Sequence, residues 1–298
     1  METVLSIKNL NKKYGKIHAV KNLSFNVEKG NVFGILGPNG SGKTTTLSII
    51  LDVINAKSGS YSWFGQYPSK ESRKKIGAIL EHPIFYPYLT AVKNLEIIAD
   101  IKGIKYNDIE RVLHTVELHD RRNSKFKTFS YGMKQRLAIA AALIGKPEVL
   151  IFDEPTNGLD PKGIAEIREL IINIAAKGIT IILASHLLDE VQKTCSHVTV
   201  LKKGEKLFAG KVNDVLNISD TIEISSNNID MLKLAVKEYD KVTDIKKELD
   251  LLVVNLKEGT TTFDLNNFLV NKGIILSHLT VRKKSLEQQF LGLLTENE

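Results

Sequence analysis

Residues 37–44 read Gly37-Pro38-Asn39-Gly40-Ser41-Gly42-Lys43-Thr44, which fits the pattern G-x-x-x-x-G-K-[ST]. Glycines in such a loop let the backbone curl until its N–H groups point at phosphate oxygens. Lys43 reaches the β- and γ-phosphates as a point charge, and Thr44 offers a hydroxyl to Mg²⁺. A second chemical group stands at Asp153-Glu154. Asp153 can hold Mg²⁺ through water opposite Thr44, and Glu154 can take a proton from an attacking water. An ordinary glycine turn and an acidic strand end would be the plain readings of the two stretches. The elements around them decide between the readings.

Val32–Leu36 is a short apolar run of the kind that forms a buried parallel strand. Thr45 to Leu51 reads as the opening of a helix, whose positive N-terminal end adds to the loop's pull on anions. Strand, glycine turn and helix together favour nucleotide binding. Val149–Phe152 is a second buried strand, and sites in open α/β sheets lie at the carboxyl ends of strands. Lys162 to Ala176 follows as a helix and Thr180–Leu183 as a third buried strand. Upstream, Val4–Ile7, Leu23–Val27, Tyr61–Gly65 and Ile76–Leu80 read as strands. Between them the pattern turns helical: Thr90 caps a segment to Asp100, Asn107 opens one to Val116, and Ser130 caps one from Tyr131 to Ile144. Residues 83–145 are thus expected as a helical insert. Val198–Phe208 reads as a hairpin turning at Lys203-Gly204. Beyond it strands are expected at 221–224, 251–256 and 274–281, with helices at 231–239, 263–271 and 285–294. The expected organisation is an α/β nucleotide-binding domain over 1–212 and a small α+β domain over 213–298, one sheet face covered by helices.

The 298 residues are 43% hydrophobic and 25% charged, as in a soluble globular protein of about two domains. No apolar run approaches the ~18 residues that span a bilayer. The first residues lack a basic segment followed by an apolar one, so no signal peptide is expected. Cys195 is the single cysteine, which excludes an intrachain disulfide and fits a reducing compartment. The net charge of +7 comes from scattered lysine pairs such as Lys12-Lys13 and Lys246-Lys247. No zinc-finger or RNA-binding aromatic motif accompanies them, so a solvated surface is expected first and a membrane-proximal bias second.

Ser130-Tyr131-Gly132-Met133-Lys134-Gln135-Arg136 lies just upstream of the acidic strand. By itself it is a capped helix start, and such a start is also an anion site. Along the chain come the phosphate loop, the helical insert, this helix start, the acidic strand, Gly158-Leu159-Asp160 and Ser185-His186. In this order they resemble the ATP-binding cassette (ABC) family over residues 3 to about 210. The resemblance implies an ATPase of P-loop NTPase fold with an antiparallel β subdomain and the helical insert, working with ATP and Mg²⁺. It implies that Tyr14 stacks on adenine and that residues 37–44, with Thr45, bind the phosphates. Thr44, Asp153 and Glu81 would hold Mg²⁺. Ser130 and Gly132 would contact the γ-phosphate held by a partner subunit, and Asp160 would sit at the dimer seam. His186 would bond the γ-phosphate and steady Glu154 and the water, with Lys43, Glu154 and His186 as the catalytic set.

Two departures stand out. The family signature is usually Leu-Ser-Gly-Gly-Gln, and here it is Phe129-Ser130-Tyr131-Gly132-Met133. The serine and second glycine remain. The position after the strand 76–80 is usually glutamine, and here it is Glu81. A charged oxygen there changes metal affinity and coupling. With residues 82–87 and the C-terminal domain, these departures resemble the bacitracin-resistance and lantibiotic-immunity subgroup of Gram-positive bacteria. The resemblance implies a homodimer or heterodimer of such subunits on the cytoplasmic face of the cell membrane, joined to transmembrane permease subunits, with no nucleic acid. Phe85, Tyr86 and Tyr88 either line the permease docking surface or form core of the insert. A soluble ABC ATPase acting on nucleic acid or ribosomes, an exporter of another substrate, or a nucleotide sensor without turnover are the rival readings.

Overall fold

The structure is a computed structural model that describes residues 2–80, 84–212, 214, 221–257 and 259–282. The chain divides into two compact units, Met1–Val212 and Asn213–Glu298.

The first unit contains two sheets. Strands β1 (Thr3–Tyr14), β2 (Ile17–Glu28) and β4 (Ser58–Trp63) form an antiparallel sheet in the order β2-β1-β4. The second sheet has six strands in the order β5-β6-β7-β3-β8-β9. They are β3 (Val32–Leu36), β5 (Ile76–Ile79), β6 (Val149–Asp153), β7 (Thr180–Ser185), β8 (His197–Lys202) and β9 (Glu205–Lys211). All neighbours pair in parallel except β8 and β9, the expected hairpin. Every residue of β3, β6 and β7 is buried. That burial is why these strands read as continuous apolar runs: helices and the other sheet cover both faces. One apolar core joins the two sheets, taking in Leu5, Leu23, Ile35 and Ile151 together with Leu47 and Ile50 of helix α1 (Lys43–Ile50). Trp63 is wholly buried there and donates its indole N–H to the Ile50 carbonyl at 2.8 Å.

The insert carries helices α3 (Ala91–Lys102), α4 (Asn107–Thr115) and α5 (Tyr131–Leu143). Thr90 and Ser130 cap α3 and α5, each side chain accepting an N–H of the first turn. Helix α5 seats on the sheet through Gly77 of β5, where a Cβ would collide with the Ala142 carbonyl. Lys102 closes the far end by donating to the Ala141 and Ile144 carbonyls at 3.1 and 3.0 Å, which the helix itself leaves unpaired. Burial lowers the Lys102 ammonium pKa to about 8. Two short helices go beyond the sequence expectation. Helix α2 (Lys70–Lys74) has a capping box closed by Ser72 in place of the usual Glu or Gln, and α7 (Leu188–Thr194) has no side-chain cap. At five and seven residues, neither is long enough to show helical periodicity. Helix α6 (Pro161–Ala175) is capped by Asp160.

The second unit is a four-stranded antiparallel sheet in the order β11-β12-β10-β13. Its strands are β10 (Thr221–Ser226), β11 (Val242–Glu248), β12 (Leu251–Leu256) and β13 (Leu276–Arg282). Helices Ile229–Glu238 and Thr262–Asn271 bury Leu232, Val236, Leu265 and Leu269 against Ile222, Ile224, Leu252 and Val254 on one sheet face. Strand β11 was not legible: it is an edge strand with only Val242 and Ile245 apolar among seven residues. The helix expected at 285–294 lies outside the described residues.

Replacing Gly77 with Ala should push α5 off the sheet and cost about 1–3 kcal/mol, an overpacking penalty with no flexible side chain to absorb it. Chemical denaturation of the variant beside the wild type measures this, with the midpoint expected to fall.

Candidate nucleotide site

The loop 37–44 leaves the end of β3 and enters α1 at Gly42, which takes a left-handed φ of 102° and would drive any Cβ into the Ala19 carbonyl. No other residue type fits that position. Two strand ends flank the loop. Gly37 N–H donates to the Ser185 carbonyl at 3.3 Å, and Glu154 N–H to the Ala184 carbonyl at 2.9 Å. The ends of β3, β6 and β7 are therefore tied together.

Lys43 is 5% exposed. Its ammonium donates to the Gly37 carbonyl at 2.7 Å and the Pro38 carbonyl at 3.3 Å, and lies 3.4 Å from Glu154 Oε1. The other Glu154 oxygen is 2.8 Å from His186 Nδ1. One carboxylate thus bridges the loop lysine and the histidine after β7. Glu154 holds its place with φ at 49°, an unusual conformation for a residue with a side chain. Asp153, 2% exposed, ends β6. Ser41 Oγ is buried and has no hydrogen-bond partner among the described residues. A buried, unpaired hydroxyl in this loop fits an oxygen-rich anion.

A cavity of about 650 Å³ opens over the loop. Of the expected residues it is lined by Tyr14, Asn39, Gly40, Gly42, Lys43, Thr44, Thr45 and Glu154. Lys16, Lys21 and Lys203 also line it, and its acidic residue is Glu154, so the cavity favours an anion. The same field shows at His18, whose pKa partial burial and then Lys13, Lys21 and Lys57 lower. Tyr14, 48% exposed at the β1–β2 hairpin, presents its ring beneath Lys12, 5.3 Å from the centroid. Ser130, Gly132 and Asp160 do not line this cavity. They form a second, exposed cluster: the Tyr131 ring lies against Gly158, and Leu159 against Gly132. Asp160 accepts Gly163 N–H at 3.0 Å as the cap of α6. Of the insert aromatics, Phe85 packs on Phe126 with centroids 5.1 Å apart, whereas Tyr86 and Tyr88 are 61% and 72% exposed. Phe85 is thus core of the insert, and Tyr86 and Tyr88 are surface residues. Glu81 lies outside the described residues.

Comparison with known proteins follows from this geometry. A family model described as ABC transporter matches residues 20–157. The bacitracin transport ATP-binding protein BcrA of Bacillus licheniformis is 38% identical over 301 residues, covering 99% of this chain and 98% of the relative. The chain belongs to the ABC transporter family. It is an ABC ATPase, and its P-loop fold, antiparallel β sheet and helical insert are those of that family. The lantibiotic transport ATP-binding protein SrtF of Streptococcus pyogenes is 40% identical over 214 residues, 70% of this chain and 93% of the relative. Among solved structures, a dimeric ATP-binding cassette in a post-hydrolysis state bound to ADP and Pi matches with a TM-score of 0.61 and 29% identity, over 70% of this chain and 98% of that one.

One buried carboxylate beside the Glu154 and His186 segments was not legible in the sequence. Glu190 of α7, 3% exposed, accepts the Thr156 hydroxyl through one oxygen and the Ser185 hydroxyl through the other, both at 2.6 Å. Ser185 Oγ in turn accepts Leu187 N–H at 3.0 Å. The loop after Glu154 and the segment carrying His186 are therefore fastened to one carboxylate. Burial raises the Glu190 pKa against the pull of those two hydrogen bonds. The only sequence signal was an acidic residue four places after His186, on a helix too short to see.

Two measurements test this geometry. Lys43→Ala should weaken ATP binding about ten- to a hundred-fold, the worth of a charge-assisted contact, in a fluorescent-nucleotide titration. Glu190→Ala should lower kcat about ten- to a hundred-fold with KM for ATP nearly constant, because it loosens the loop after Glu154 and the segment carrying His186 rather than the residues that line the cavity. Glu190→Gln, which keeps an acceptor, should recover much of the loss.

Proposed function

We propose that this chain is the ATP-hydrolysing subunit of a transporter that exports, or confers immunity to, a peptide antibiotic of the bacitracin or lantibiotic kind. The observation that carries the catalytic part is the Glu154 carboxylate set between Lys43 and His186 at the mouth of the phosphate loop. Lys43 and the loop N–H groups hold the phosphates, and the loop's orphaned Ser41 hydroxyl suits the same anion. Tyr14, beside the cavity, is placed for a base to stack on its ring. Thr44 and Asp153, with Glu81, would hold Mg²⁺, which when bound neutralises phosphate charge. Glu154 takes the proton of the attacking water, and His186 keeps that carboxylate in place and faces the γ-phosphate.

The placement of Ser130, Gly132 and Asp160 away from the cavity supports a dimer. Each chain has one half that cradles phosphates and one exposed helix start that offers N–H groups to an anion. Two copies, head to tail under twofold symmetry, would complete each other's sites. A ligand shared across that seam favours the closed pair, and loss of its γ-phosphate reopens it. A homodimer is the simplest case, and a heterodimer uses the same geometry.

Among the described residues no helix is long and apolar enough to cross a membrane. A separate permease subunit would take up the work and hold this chain at the cytoplasmic face. Ile84, Tyr86 and Tyr88 give that permease an exposed apolar and aromatic surface on the insert. The substrate class rests on the relatives: bacitracin and lantibiotic transport proteins match over most of their length, and a linearmycin resistance ATP-binding protein of Bacillus subtilis is 34% identical over 313 residues.

Glu154→Gln should cut ATP turnover by about a hundred-fold or more while leaving ATP affinity intact. With Mg²⁺ and ATP the variant should run as a dimer in size-exclusion chromatography with light scattering. Turnover at the wild-type rate would remove Glu154 from the role of base. A monomer at saturating ATP, even with the permease present, would remove the shared site.

A further inference from the structure

Helix α4 carries Glu110 and His114 one turn apart on its outer side, while Ile109, Val112 and Leu113 are buried on its inner side. The chain then reverses tightly. Leu118 N–H donates to the Leu113 carbonyl and Glu117 N–H to the His114 carbonyl, with Glu117 at φ 58°. This is a Schellman stop with buried Leu118 against buried Leu113. It returns His119 over His114, so that the two rings stack with centroids 3.9 Å apart at 14°.

The surroundings of His119 are unusual. Its Nε2 lies 3.5 Å from Glu110 Oε1 and its Nδ1 lies 3.6 Å from Asp120 Oδ1. A neutral imidazole has one N–H and one lone pair, so one of these carboxylates faces a lone pair unless a cation lies between them. Glu110, His114 and His119 each offer a ligand atom, all within 4.8 Å of one another. We propose that these three residues bind a divalent transition metal, with Zn²⁺ the best match. Two imidazole nitrogens and one carboxylate oxygen suit zinc, and water can fill the fourth position of an exposed site; because a ring nitrogen's lone pair lies in the ring plane, one of the near-parallel rings must turn out of the stack on binding. Asp120, beside Nδ1, would fix the tautomer that turns the Nε2 lone pair to the metal. The metal would pin the turn after α4 to the helix and so brace the insert.

The test uses untagged, nucleotide-free full-length protein and ZnCl₂. Calorimetry should find one zinc per chain, and zinc should raise Tm. His114→Ala and His119→Ala, on surface positions, should each abolish that site, and Asp120→Asn should weaken it by about ten-fold. Cobalt(II) bound to wild-type protein should give a visible d–d spectrum without a thiolate band, since Cys195 is buried elsewhere. Failure to bind zinc, or equal binding by the doubly substituted H114A/H119A chain, overturns the proposal and leaves a stacked histidine pair beside two carboxylates. Neither result touches the nucleotide site, whose residues the variants leave intact.

Discussion

The ends of β3, β6 and β7 are held in one register, and the chemistry of this chain depends on it. Leu36 pairs with Ser185 and Asp153 with Ala184, and the next residues on, Gly37 and Glu154, donate back to the same strand. A slip of one residue would turn every buried side chain of these strands to the opposite face. Because all three strands are buried on both sides, such a slip would break packing with α1 as well as with the insert. The phosphate loop, the acidic pair and the Ser185-His186 segment therefore arrive at one edge as a consequence of core packing. No loop contact is needed to bring them together, although Glu190 then fixes their finer placement.

What those ends present is a charge arrangement that does not add stability. At an effective dielectric of ~20, a unit pair 3.4 Å apart has a gross attraction of about 5 kcal/mol. Taking Lys43 and Glu154 out of water costs several kcal/mol for each ion, so the two terms nearly cancel. Glu154 adds the cost of a left-handed backbone. A site that spends strain and desolvation to hold a carboxylate between an ammonium and an imidazole is built for position. The ammonium's other contacts are carbonyl oxygens of its own loop, which a phosphate can replace with fully charged partners.

Legibility in the sequence followed the length and burial of each element. Strands β3, β6 and β7 announced themselves as unbroken apolar runs, and the caps Thr90 and Ser130 and the start at Asn107 marked the insert helices within a residue or two. The phosphate loop and Asp153-Glu154 were visible because their residue types are tied to backbone geometry and to strand ends. Elements that rely on tertiary contacts were not visible. Strand β11 is a polar edge held by pairing to β12, and α7 is a seven-residue helix whose buried Glu190 looks from sequence like a surface acid. A carboxylate satisfied by the Thr156 hydroxyl, 34 residues back, and by Ser185 just before a very short helix leaves no periodic pattern to read. Phe85, Tyr86 and Tyr88 could not be divided between core and surface because adjacent residues in an irregular segment have no fixed period.

The tyrosine in the signature helix shows how a departure from a family pattern can be absorbed. Tyr131 stands where the family usually has glycine, and its ring lies over Gly158, where a Cβ would come within 3.4 Å of Cε1. Gly158 also has φ at 81°, so the loop that ends in Asp160 depends on glycine for both conformation and room. The bulk gained at 131 is thus accommodated by the absence of a side chain at 158. Ser130 keeps its role as cap, accepting Met133 N–H at 3.3 Å, and Gly132 remains open beside Leu159. The helix start therefore keeps its positive end at an exposed position while its neighbouring loop is held by an aromatic contact within the same chain. A bulky residue introduced at 158 would have to displace that ring, and with it the exposed cluster that the helix start presents.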